Sequence, residues 1–171
     1  AALWAWKNLI DSNGDNIKQD IYTGPEYNSD EIKDILIDLK INYTEYTNHQ
    51  DLINSTVKDL INNNIIAWFQ GKMEFGPRAL GNRSILAQPN SKELSKKINS
   101  IIKKRESYQP FAASILIEEC NKFFVMDKKF DYSYKFMNVV SECREEVYND
   151  IQGVMHVDKT CRVQTVDKDD N

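Results

Sequence analysis

The sequence has few of the residues that build metal and nucleophile sites. Two histidines, His49 and His156, and three cysteines, Cys120, Cys143 and Cys161, are scattered through 171 residues. No C-x-x-C, H-E-x-x-H or G-x-S-x-G spacing occurs, so neither a zinc site nor a serine or cysteine nucleophile is signalled, and no metal ligand is assigned. Three widely spaced cysteines read as buried thiols of a reducing, cytoplasmic compartment, not as a disulfide framework. No apolar run approaches the ~18 residues of a membrane span, so a soluble protein without a membrane partner is expected. Positive charge is also in deficit: 22 Lys and Arg against 26 Asp and Glu give a net charge of −4. That balance argues against a protein that lives on a general electrostatic grip of nucleic acid. With 41% hydrophobic and 11% aromatic residues, the chain nevertheless has the material for a packed core.

Patterning predicts alternating helices and strands. Residues 1–10 place Leu3, Trp4, Leu9 and Ile10 on an apolar helical face, and the polar stretch Asp11–Asn16 is the best boundary. Ser29 is expected to cap a helix through Leu39, with Asp30 and Glu31 in its first turn. Ile41–Tyr46 alternates like a strand, Asp51–Asn63 repeats like a helix, and Ile65–Phe69 reads as a buried strand. Ser91 opens a third long helix that ends in Lys103, Lys104 and Arg105. Strands are expected over Phe111–Ile117, near Tyr134–Val140 and over Cys161–Val166, with a short helix around Glu118–Phe124. The fold class is α/β with a mixed sheet. The uncapped helical start and the acidic finish after Val166 suggest a piece of a longer protein.

The segment Gln70–Ser84 carries the chemistry. It holds three of the six glycines, together with Lys72, Arg78 and Arg83, directly after the strand signal. Glycine turns let successive amides form an anion nest, and arginine supplies bidentate donors to phosphate or carboxylate. An oxyanion site follows from that combination. The same residues also suit a Gly-Pro turn whose arginines pair with surface carboxylates. The spacing matches neither a Walker loop nor a dinucleotide fingerprint. Lys103 to Arg105 complement a helix C-terminus, and Arg162 lies inside a strand; either becomes functional only if it faces the anion that Arg78 faces. His49 reads as a solvated loop residue and His156 as a strand residue.

The block Phe75–Leu86, reading FGPRALGNRSIL, resembles the signature of O-carbamoyltransferases of the nodulation-protein and antibiotic-tailoring type. Gly24–Tyr27, Ile98-Asn99, Lys103-x-Arg105-Glu106, Pro110–Ser114, His156–Asp158 and Cys161–Val166 follow in the family's order. The resemblance covers nearly the whole chain. It implies a YrdC-like twisted mixed sheet with flanking helices over residues 17–171, truncated at its C-terminus. Residues 1–16 would be the terminal helix and linker of a preceding actin-like (Kae1-like) domain, the implied partner in the same parent chain. The implied reaction joins carbamoyl phosphate and ATP, with Mg2+, into a carbamoyl adenylate. The other domain, using its own metal, would pass the carbamoyl group to a substrate hydroxyl.

Carried over position by position, the resemblance implies that Arg78, Lys103 and Arg162 are catalytic. Gly81, Arg83 and Arg105 would join them in binding the substrates, while Ser84 fixes the loop. Preorganised cations suit polyanionic substrates and a transition state that spreads charge over oxygens. Two departures stand out. Gln109 replaces the arginine of the family's Arg-Pro-Phe, and the expected Asn-Thr-Ser-Phe-Asn segment does not occur before Asn171. The fragment is therefore expected to be inactive alone. The competing readings are a nucleotide- or RNA-binding module, against which the acidic balance argues, and a catalytically inactive regulatory domain.

Overall fold

The computed structural model describes Ala5, Leu9, Ile10 and residues 20–168. The expected terminal helix and boundary loop over residues 1–16 otherwise fall outside the described residues.

Two capped helices open the described chain. Helix α1 (Ser29–Asp38) is capped by Asn28, whose side chain accepts the Glu31 N–H at 2.9 Å while the Glu31 carboxylate accepts the Asn28 N–H at 2.8 Å. This reciprocal box satisfies two orphan amides and moves the cap one residue ahead of the expected Ser29. Helix α2 (His49–Ile61) is capped by Asn48 onto the Gln50 N–H at 2.9 Å, so His49 opens a helix and is not a loop residue. Neither helix contains a fully buried residue. The strand expected over Ile41–Tyr46 is absent: the segment is irregular and exposed. Its side chains tether helices instead, with Glu45 2.8 Å from Lys33 and the Tyr46 hydroxyl donating to Ser55 Oγ at 3.0 Å. Alternation without a neighbouring strand has no ladder to join.

Strand β1 (Ile66–Phe69) pairs antiparallel with β2 (Arg83–Leu86), from Ile66 opposite Leu86 to Phe69 opposite Arg83. These two strands form a separate ribbon with Ala67 and Phe69 exposed, where the apolar run predicted a buried strand. The ribbon brings the two ends of the glycine-rich block together. The third helix is shorter than expected. Ser91 caps it by accepting the Leu94 N–H at 3.1 Å; α3 covers Lys92–Lys97, then the backbone widens into a π turn over Ile98–Lys103. Lys104, at φ 48°, ends that turn and leaves Arg105 outside the helix.

The main sheet has four strands in the order β3-β6-β5-β4: β3 (Ala112–Leu116), β4 (Phe124–Val125), β5 (Val140–Cys143) and β6 (Thr160–Val166). β3 runs parallel to β6 and the remaining pairs are antiparallel, which makes the sheet mixed, as expected. Short helices α4 (Cys120–Phe123) and α5 (Asp131–Tyr134) lie between strands. The strand expected near Tyr134–Val140 begins only at Val140. Tyr134 instead ends α5, buried, with its hydroxyl accepting the Ser141 hydroxyl at 3.0 Å.

Strand β6 separates two environments. Cys161 and Val163 project into a core with Phe124, Tyr134, Cys143, Ile151 and Val154. Arg162 and Gln164, one residue out of phase, belong to the opposite face. All three cysteines are free and buried. Burial pushes the Cys120 and Cys143 thiols up to about 11 and Cys161 to about 12, so they pack as small hydrophobes. Among the described residues no helix is long and apolar enough to cross a membrane.

Candidate functional site

The glycine-rich block does form an amide nest, but the chain fills it. Glu74 is buried, and its Oε1 accepts the N–H groups of Leu80 at 2.7 Å, Asn82 at 2.8 Å and Arg83 at 3.4 Å. Burial alone would raise its pKa; the amides of Leu80, Glu74, Asn82 and Arg83 outweigh it and hold the carboxyl below its ordinary 4.5. The expectation that these amides receive a ligand anion is corrected: an internal carboxylate already satisfies them. Gly81 adopts φ 124°, a conformation that disfavours any side chain, and donates its N–H to Ser84 Oγ at 3.1 Å. Arg83 is likewise committed. Its guanidinium donates to the carbonyls of Gln70 (2.6 Å), Asn82 (2.8 Å), Gly71 (3.1 Å) and Pro25 (3.2 Å), and lies 3.6 Å over the Phe69 ring. Gly81 and Arg83 thus brace the loop.

The loop is also pinned to the sheet. Gln164 on β6 donates to the Leu80 carbonyl at 2.9 Å and accepts from Ser114 Oγ at 2.8 Å, and the Tyr22 hydroxyl donates to the same carbonyl at 3.1 Å. Two residues before Leu80 stands Arg78; two residues before Gln164 stands Arg162. The tether therefore sets these arginines beside each other.

Arg78, Arg105 and Arg162 form one electrostatic cluster. Burial lowers the pKa of Arg162, and the guanidiniums of Arg78 and Arg105 lower it further. Its Nε is buried and makes no hydrogen bond. Arg78 donates to Asn138 Oδ1 at 3.0 Å; Arg105 donates through Nε to Asn99 Oδ1 at 2.6 Å and stacks 4.9 Å from the Phe111 ring centroid. Among the described residues none of the three pairs with a carboxylate. Arg78 and Asn138 also form the polar end of a cleft of about 220 Å³ whose walls include Phe75, Pro77, Leu80 and Phe136. Lys103, by contrast, is exposed at the end of the π turn and makes no side-chain hydrogen bond or ion pair among the described residues. The structure joins Arg105, and not Lys103, to Arg78 and Arg162.

Chemically, three guanidiniums with forks to offer and an orphan buried donor suit a ligand rich in anionic oxygens. The donor set contains no carboxylate, so it does not fit a Mg2+ ion held by the protein. His156 lies in the turn before β6, not in the strand. Its Nδ1 is 2.9 Å from Thr160 Oγ1, and Asp158 accepts the Thr160 hydroxyl at 2.7 Å. Glu74, Asn99, Gln164 and Asn138 were not singled out as site residues. Asn99 and Gln164 carry a signal only as members of the stretches Ile98-Asn99 and Cys161–Val166.

Comparison with known proteins identifies the family. Residues 57–171 match the family model described as carbamoyltransferase C-terminus. Nodulation protein NolO of Bradyrhizobium diazoefficiens is 39% identical over 152 residues, 89% of this chain and 28% of that protein. Nodulation protein NolNO of Sinorhizobium fredii is 40% identical over 90% of this chain and 22% of its own length. The 3'-hydroxymethylcephem-O-carbamoyltransferase of Amycolatopsis lactamdurans is 41% identical over 60% of this chain and 18% of its own length. The chain thus spans about a quarter of the length of the two nodulation proteins and 18% of the cephem enzyme. It belongs to the carbamoyltransferase C-terminus family.

Proposed function

We propose that the arginine cluster binds the oxygens of ATP and carbamoyl phosphate and activates the carbamoyl group as carbamoyl adenylate. The observation that carries this reading is the buried, unpartnered Nε of Arg162, set beside two further guanidiniums. A buried donor without an acceptor is costly unless a ligand supplies one. Atom balance sets the products: water releases inorganic phosphate from the carbamoyl group, and a carbamate oxygen displaces pyrophosphate from the α-phosphorus of ATP. Arg162, Arg78 and Arg105 hold the oxygens on which charge accumulates, already oriented before the reaction. The activated group then passes to a substrate hydroxyl in another domain of the full-length protein. The 3'-hydroxymethylcephem-O-carbamoyltransferase among the relatives supports an acceptor of this hydroxyl type.

The test is isotope exchange. Full-length protein carrying these residues is expected to exchange labelled pyrophosphate into ATP only when carbamoyl phosphate is present. Exchange that ignores carbamoyl phosphate, or that survives Arg162→Ala unchanged, overturns the reading. Gln109 favours a second one. It is neutral where the resemblance implies an arginine, which fits a domain that binds nucleotide without turning it over; saturable ATP binding by calorimetry with no exchange is its signature.

A further inference from the structure

We propose that Asn99 is a positioning residue that aims Arg105 at the anion site while leaving its charge intact. The inference rests on the arginine cluster being that site. Asn99 has no exposed surface and lies in the π turn among isoleucines, where a polar side chain is costly unless every hydrogen-bonding atom is used. All are used. Oδ1 accepts the Arg105 Nε–H at 2.6 Å; Nδ2 donates to the carbonyls of Gln109 at 2.9 Å and Ser107 at 3.3 Å. The backbone carbonyl of Asn99 accepts the N–H groups of Lys104 and Arg105. One residue therefore folds the chain back after the π turn and holds Arg105 through a single guanidinium atom.

What it leaves free matters more. A guanidinium has five donors, and Asn99 engages only the one on Nε. Phe111 covers the guanidinium plane, and neither terminal nitrogen has a hydrogen-bond partner among the described residues. Clamped at Nε and on its face, Arg105 presents its outer fork where its charge reaches Arg162. An aspartate in this place would accept the same Nε–H but neutralise the cation, and would set an acceptor against the carbonyls of Gln109 and Ser107. A neutral amide orients without neutralising, which is what a site for a polyanion requires.

Calorimetric titration of the 171-residue chain with sodium pyrophosphate tests this, with nitrogen-15 spectra reporting the Arg105 Nε–H. In the unmodified chain that proton is expected to be protected from exchange. Asn99→Ala should abolish the protection and weaken pyrophosphate binding about tenfold, the scale of a hydrogen bond to a charged group. In an Arg105→Ala background the same substitution should change affinity by less than about twofold, since both act through one side chain. An equal loss in both backgrounds, or no loss in either, overturns the proposal. Where Asn99→Ala does not fold, Arg105→Lys serves: it keeps the charge but removes the Nε–H that Asn99 holds, and it should lose about tenfold in affinity; undiminished affinity overturns the proposal. Arg162→Ala is titrated alongside. If it loses affinity while Asn99→Ala does not, the site stands and the role of Asn99 falls. If it loses none, the reading of the site itself is overturned.

Discussion

The amides of Leu80, Asn82 and Arg83 and the guanidiniums of Arg78, Arg105 and Arg162 are both arrays of donors, satisfied in opposite ways. The amides converge on Glu74, an acceptor from the same loop six residues before Leu80. The guanidiniums have neutral neighbours, Asn138 and Asn99, and the Arg162 Nε has none. Amides in a tight, buried turn cannot be left without acceptors, so the chain supplies one. The guanidiniums keep donors that no carboxylate among the described residues takes. The difference teaches that the amides of the glycine-rich block serve its own fold, while the same block presents Arg78 at the cleft.

The most forceful way to break this comparison is to remove the cluster's central cation. Arg162→Ala should lower carbamoyl phosphate-dependent pyrophosphate exchange by about 10²–10³-fold, the usual cost of one preorganised charge-stabilising donor. Arg162→Lys, which keeps the charge but loses the fork, should recover only part of it. Exchange at the unmodified rate in Arg162→Ala would make the cluster an ordinary polar face. The matching experiment on the loop is Glu74→Ala. It strands at least two short amide bonds and should destabilise the chain by about 3 kcal/mol in urea unfolding. Unchanged stability would mean that the nest has no need of an internal anion.

How far the sequence foretold this arrangement depends on the range of the interactions. The strands at Ala112–Leu116 and Thr160–Val166 were legible because alternation and capping are local signals. Arg78 stands out as a candidate because its surroundings combine glycine and arginine unusually. Glu74 does not: a carboxylate in a charged, glycine-rich stretch gives no sign that it will turn back onto amides six to nine residues ahead. Lys103 and Arg105 looked alike at the end of one helical pattern. The π turn and the left-handed Lys104 separate them, turning Arg105 toward Phe111 and leaving Lys103 exposed. That choice depends on Asn99 reaching carbonyls eight and ten residues away, which no periodicity encodes.

A smaller effect sharpens the loop side through pH. The folded pKa of Glu74 lies below 4.5, its ordinary value, so its stabilisation is complete above that value and is lost as pH falls through the depressed folded one. The stability difference between the unmodified chain and Glu74→Gln should be constant near neutrality and shrink as pH drops below 4.5. Thermal melts across that range measure it. A difference that stays flat into acid would mean that the carboxylate is not held in its charged form.

The smallest expected effect tests whether an internal carboxylate can silence a side-chain cation as Glu74 silences the amides. Gln109 stands where the resemblance implies an arginine, its carbonyl held by Asn99 and its Nε2 donating to Glu106 Oε2 at 2.9 Å. An arginine placed there meets Glu106 first. Gln109→Arg alone should therefore raise pyrophosphate affinity by no more than about fivefold, the ~1 kcal/mol scale of exposed charge pairs. Adding Glu106→Gln removes the local partner, and the paired variant should gain more than the single one in the same titration. Equal gains would show that Glu106 does not compete for the new cation. A larger gain in the paired variant would place the distinction between filled and open anion sites in which arginines have a carboxylate within reach, not in how many arginines the chain carries.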